Sequence, residues 1–189
     1  MEADWEFEIG GDAPVIEARW PGFVDLRRSP ASIIDIPEAM ELPILGDVLI
    51  RLNDANSPMW TSKCGVWRSA DVEQFDTDEF DAAPGGTAHT HGCYIDLLPR
   101  IQDQWPSTDA IAAVCKSWVA GLRALPLRSC RADLIIRRAF TPPARMHLAV
   151  TAYLTGSGST ALGALGALAA LEAALPPFAN VLCAQSTLQ

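Results

Sequence analysis

Two of the chain's three histidines stand two residues apart in His89-Thr90-His91-Gly92-Cys93, with a thiol two residues further on. In an extended segment the side chains at i, i+2 and i+4 point the same way. Imidazole nitrogen and thiolate sulfur are both ligands that zinc accepts. Cys64 lies on the preceding apolar segment, and hairpin pairing of the two segments would carry it toward Cys93 as a fourth ligand. His89, His91, Cys93 and Cys64 are therefore a candidate zinc site for a small metalloprotein or enzyme. A plainer explanation is a pair of loop histidines followed by a core cysteine, because zinc sites ordinarily show a second ligand pair at tight spacing. Cys93 or Cys64 could also act as a nucleophile with a neighbouring histidine as base. That work needs a lowered thiol pKa, and no familiar local signature surrounds either cysteine. No catalytic residue is assigned.

A second group is Gly156-Ser157-Gly158-Ser159-Thr160-Ala161, which fits the spacing G-x-G-x-x-A between an apolar run and a helical one. Free N–H groups at such a junction can hold an anion, so Gly156, Gly158, Ser159 and Thr160 are candidates for phosphate or nucleotide binding. The context departs from a dinucleotide fold: the preceding run pairs as a hairpin, and only 28 residues follow. A flexible turn with a Ser/Thr helix cap accounts for the same residues. The third group is acidic. Six of the eleven residues from Asp71 to Asp81 are Asp or Glu, without the glycine and spaced terminal glutamate of a calcium-binding EF-hand loop. This reads as a solvated connection, with docking of a basic partner as the functional alternative.

The elements that must carry these residues follow from periodicity. Trp5, Phe7 and Ile9 alternate with acids, as do Ile16, Ala18 and Trp20 with charged residues, and Gly10 to Pro14 lies between. This predicts an antiparallel hairpin. Pro43 opens a helix with a stripe of Ile44, Leu45, Val48, Leu49 and Leu52. Met59 to Trp67 is a strand whose core face is expected to be Trp60, Ser62, Cys64 and Val66. Cys93 to Leu98 is another strand. Ser107-Thr108-Asp109 caps a helix that ends before Pro126. Ala132 to Phe140 and Met146 to Leu154 form a hairpin, and a final helix from Thr160 ends at Pro176-Pro177. Val181 to Cys183 is read as a short edge strand. The expected fold is a single α+β domain over residues 1–189. It is an antiparallel sheet with helices packed on one face, a ferredoxin-like βαββαβ core with an added N-terminal strand and C-terminal β-α.

Bulk properties narrow the partners. The formal net charge is −9, which repels phosphate backbones and anionic membranes and suits a basic protein partner. The N-terminus shows neither a basic region nor an apolar run, and the apolar stretch Ala161 to Leu175 is short for a bilayer and holds Glu172. No membrane span is expected. Five cysteines, widely spaced and without CxxC, read as reduced thiols of a cytoplasmic protein. The last helix is apolar nearly all round, so it is either enclosed by its own chain or packed against a second copy as a homodimer contact. The leading expectation is a non-enzymatic binding or protein-interaction module.

Overall fold

The computed structural model describes residues 1–69, 89–101, 104–142, 145–158 and 163–184. The alternation in the N-terminal segment does make a strand, β1 (Glu2–Glu8), and a second short strand follows, β2 (Val15–Glu17). They do not form the expected hairpin. Both run parallel to β5 (Cys130–Thr141), Trp5 facing Leu134 and Val15 facing Arg138. The intervening turn, closed by the Ala13 N–H on the Gly10 carbonyl at 3.2 Å, returns the chain to the same edge in the same direction. β5 offers that edge the inward ladder Ala132, Leu134 and Ile136, which Ala3, Trp5 and Phe7 extend.

Next come a 3-10 turn (Pro30–Asp35) and two helices, α1 (Pro37–Glu41) and α2 (Pro43–Asn53). Both helices have proline in the first turn, where its missing N–H costs no bond. The strands β3 (Met59–Ser69) and β4 (His89–Pro99) pair antiparallel. The residues between them, which include the acidic stretch, lie outside the described residues. Helix α3 (Thr108–Arg123) begins at Ser107, whose hydroxyl accepts the Ala110 N–H. β5 and β6 (Arg145–Gly158) form the predicted hairpin, and α4 (Gly163–Ala184) closes the fold.

The result is an α+β fold on a mixed six-stranded sheet, ordered β1-β5-β6-β4-β3 with β2 also against β5. This is not the simple ferredoxin order: β6 lies between β5 and β4, and the N-terminal edge is parallel rather than antiparallel. α4 crosses β6 and β4 with α2 and α3 packed against it. The core between sheet and helices joins Ile95, Leu134, Val150 and Leu154 to Leu49, Trp118, Leu171 and Phe178.

Two local departures from the expected pattern have clear causes. In β3, Thr61 faces Leu97 while Cys64 faces Ile95, so two residues of β3 oppose one of β4. This bulge reverses the alternation. Met59, Thr61, Cys64 and Val66 point toward the helices, and Trp60 points to the other side rather than sharing the face of Cys64. In α4 the helix does not stop at Pro176-Pro177 but continues to Ala184, so Val181 to Cys183 is helical and not an edge strand. The prolines remove the donors for the carbonyls of Glu172 and Ala173, four residues earlier. Both residues are exposed, so water can take those carbonyls, and burial of Phe178, Ala179 and Leu182 holds the last turns in place. By length and composition this helix could cross a membrane; in the fold it packs on the sheet, with Leu171, Leu175, Phe178 and Leu182 buried.

On the sheet face away from the helices a small second cluster forms at one end, from Ile16, Ala18, Trp60, Leu98, Ala139 and Ala149. Beside it a line of polar contacts crosses β1, β5, β6 and β4. Glu8 accepts from Arg137 Nε at 2.7 Å; Arg137 Nη1 donates to Thr151 Oγ1 at 3.2 Å and to the Tyr153 hydroxyl at 3.1 Å. Thr151 donates in turn to Asp96 at 2.7 Å.

Candidate functional site

After β2 the chain crosses from one edge of the sheet toward the other. The Ala18 N–H donates to the Phe140 carbonyl at 3.0 Å, and Ser62 Oγ, in the bulge, donates to the Glu17 carbonyl at 2.8 Å. Trp20, Phe23 and Trp60 stack edge to face with centroids 5.3 and 6.0 Å apart. The Arg27 guanidinium lies 3.8 Å from the Trp60 ring and is gripped by Asp25 at 2.7 and 2.8 Å. That grip lowers the Asp25 pKa. Between this crossing segment, the 3-10 turn with α1, and the bulge lies a cavity of about 320 Å³. Trp20, Asp35, Glu38, Lys63, Cys64 and Tyr94 are among the residues that line it.

Glycine shapes one wall. A Cβ at Gly65 would collide with the ring of Tyr94, 3.0 Å from Cδ1. The absence of a side chain there lets the ring lie across β3, where it lines the cavity. Gly92 does the same for Trp67, whose ring reaches Tyr153 at 6.1 Å between centroids.

The electrostatics of the cavity argue against nucleophilic chemistry. Burial pushes the Cys64 thiol up to about 12, and the carboxylates of Glu38 and Asp96 push in the same direction. Burial, then Asp96, Cys64 and Glu38, also raise the Tyr94 phenol. Neither is an anion at neutral pH, and only the thiolate of cysteine is a strong nucleophile.

Asp96 is the buried acid of the region. Burial raises its pKa above the ordinary 3.8, against the lowering effects of the Thr151 hydroxyl, Arg137 and Lys63. A raised carboxylate contributes most to stability when protonated. Its contribution is complete below 3.8 and is lost as pH rises through the folded-state value. Relative to Asp96→Asn, the wild-type protein is therefore expected to gain stability as pH falls from 7 toward 4. Denaturant midpoints for both proteins across that range test this, and a pH-independent difference would refute it.

The residues singled out from sequence lie elsewhere in part. His89, His91 and Cys93 do point to one face of β4, the helix side. His91 stands opposite Arg68 and Gly156, and Cys93 opposite Val66 and Leu154. Cys64 faces Ile95 and is a diagonal neighbour of Cys93. Cys93 is fully buried and its thiol pKa is driven up by that burial. His91 is also buried, its Nε2 has no hydrogen-bond partner among the described residues, and burial followed by Arg68 lowers its pKa. The line of side chains does not close round a common centre: among the described residues no three of His, Cys, Asp or Glu form a group that could hold a metal ion.

Gly156 and Gly158 lie within β6 and not in a loop before the helix. A Cβ at Gly156 would stand 2.6 Å from the Leu171 nitrogen, and one at Gly158 would stand 2.7 Å from the Ala167 nitrogen. These glycines admit the backbone of α4 to the sheet, which leaves no space for a phosphate above them. Ser159 and Thr160 lie outside the described residues.

The cavity leaves no mark in the sequence. Trp20, Glu38 and Tyr94 come from three distant segments and carry no shared spacing.

A second surface lies at the opposite edge, on the helix side but beyond the helices. Phe7, Val15, Phe140 and Met146 are 42%, 38%, 40% and 56% exposed. Phe140 and Met146 are register partners, and Val15 and Phe7 flank β5 at Arg138 and Ile136, so the four are contiguous. Glu17 faces Phe140 across the strand pair, and Asp12 is exposed in the preceding turn.

Compared with protein-family models, curated proteins and solved structures, the chain matches none.

Proposed function

We propose that this chain is a non-enzymatic protein-interaction module that docks a basic partner. The observation that carries the reading is the apolar end of the sheet, where Phe7, Val15, Phe140 and Met146 remain open to solvent, with Asp12 exposed in the turn before Val15. A contiguous apolar patch with a polar rim is the usual form of a protein-binding surface. The net charge of −9 favours a partner of opposite sign and speeds its approach. The neutral thiols near the cavity support a binding role over covalent catalysis.

The double substitution Phe140→Asp with Met146→Asp tests the proposal. Both side chains are exposed, so the variant keeps its core. The wild-type protein, immobilised in an extract of its source cells, is expected to retain a basic protein that the variant releases. Leu165→Asp, on the outward side of α4, is the control and is expected to retain it. Equal retention by all three proteins would refute the proposed surface. A wild-type dimer in sedimentation that the double variant abolishes would replace the basic partner with a second copy.

A further inference from the structure

The cavity beside the β3 bulge has features that the apolar end does not account for. Nearby carboxylates are occupied: Asp25 by Arg27, Glu17 by Lys63 and Glu41 by Arg68. Asp35 and Glu38, which line the cavity, have no ion-pair partner among the described residues. The lining also includes the aromatic rings of Trp20 and Tyr94. A cation already lies against one of them, since the Lys63 ammonium is 5.3 Å from the Trp20 ring centre while leaning 3.9 Å from Glu17. Aromatic faces and unpaired carboxylates around a small cavity are complementary to a planar cation.

We propose that this cavity receives an arginine side chain of the basic partner, its guanidinium between the Trp20 ring and the carboxylates of Asp35 and Glu38. This rests on the interaction reading above and adds to it the residue type recognised. Arginine fits better than lysine because its flat guanidinium can stack on indole while offering paired N–H groups to a carboxylate. A volume of about 320 Å³ suits one side chain and is at the low end for a larger ligand.

The test uses the whole chain and two capped amino acids of nearly the same shape, N-acetyl-arginine amide and N-acetyl-citrulline amide. The Trp20 indole N–H signal in NMR is expected to shift saturably with the arginine compound and not with the uncharged citrulline one. Glu38→Gln is expected to weaken binding about fivefold, the loss of one charge-assisted contact. No saturable shift, or equal shifts with both compounds, would overturn the proposal. Agmatine binding more than about tenfold tighter than the capped arginine would overturn it in favour of a free amine ligand. If the arginine compound fails to bind while Phe140→Asp with Met146→Asp still releases the partner, only this inference falls. If it binds while the partner is retained by the double variant, the docking surface at the apolar end falls instead.

Discussion

Gly156→Val is expected to destabilise the fold by about 3 kcal/mol or more, the upper range for forcing volume into a packed core. For a chain of this length that lowers the thermal midpoint by roughly 6–12 °C. The obstacle is backbone, not side chain. A Cβ at this position meets the carbonyl oxygen of Ala167 and the nitrogen of Leu171, neither of which can rotate away. The helix would have to lift off β6, and its lifting would open the contacts of Leu171 and Leu175 with the sheet. The anion-loop explanation of the same glycine makes a different prediction, because valine in a flexible turn disturbs little. A melting temperature within a degree or so of wild type would remove the close approach described here.

Phe178→Ala is expected to cost about 3–5 kcal/mol, as for other fully buried aromatic side chains. Phe178 is 0% exposed and belongs to the central core. It follows the pair Pro176-Pro177, where the sequence alone places the end of the helix. A helix that stopped there would leave Phe178 in a tail, and its truncation would change stability by less than about 0.5 kcal/mol. Urea titration distinguishes the two results, with a large fall in midpoint at unchanged slope expected.

The difference between these two outcomes shows where the sequence was readable. Features set by near neighbours were legible: the Ser107 cap, proline at the start of α2, the stripes of α2 and α3, and the hairpin of β5 with β6. Features set by distant partners were not. β1 and β2 pair with a strand more than a hundred residues away, and an edge strand leaves no local mark of which edge it joins or in which direction. The single extra residue in β3 reversed the inferred faces of Trp60 and Thr61, because strand periodicity has no tolerance for an insertion. His89, His91 and Cys93 share one face of β4, as their i, i+2, i+4 spacing implies. What lies above them is α4, and no spacing within β4 could reveal that. The cavity was beyond reach for the same reason, since the segments of Trp20, Glu38 and Tyr94 meet only in the folded chain.

The polar line from Glu8 through Arg137 and Thr151 to Asp96 has a consequence for how the sheet assembles. The strands β1, β5, β6 and β4 each contribute one member, and every member sits on the face away from the helices. A slip of one residue in any of them would turn its member inward, so that Glu8, Arg137 or Asp96 would enter the layer filled by Leu49, Trp118 and Phe178. Desolvating an unpaired charge there costs several kcal/mol. The long strands β5 and β6 have enough apolar residues to tolerate several pairings on hydrophobicity alone. The line of polar groups rejects all but one of them, and so acts as the alignment mark of the sheet.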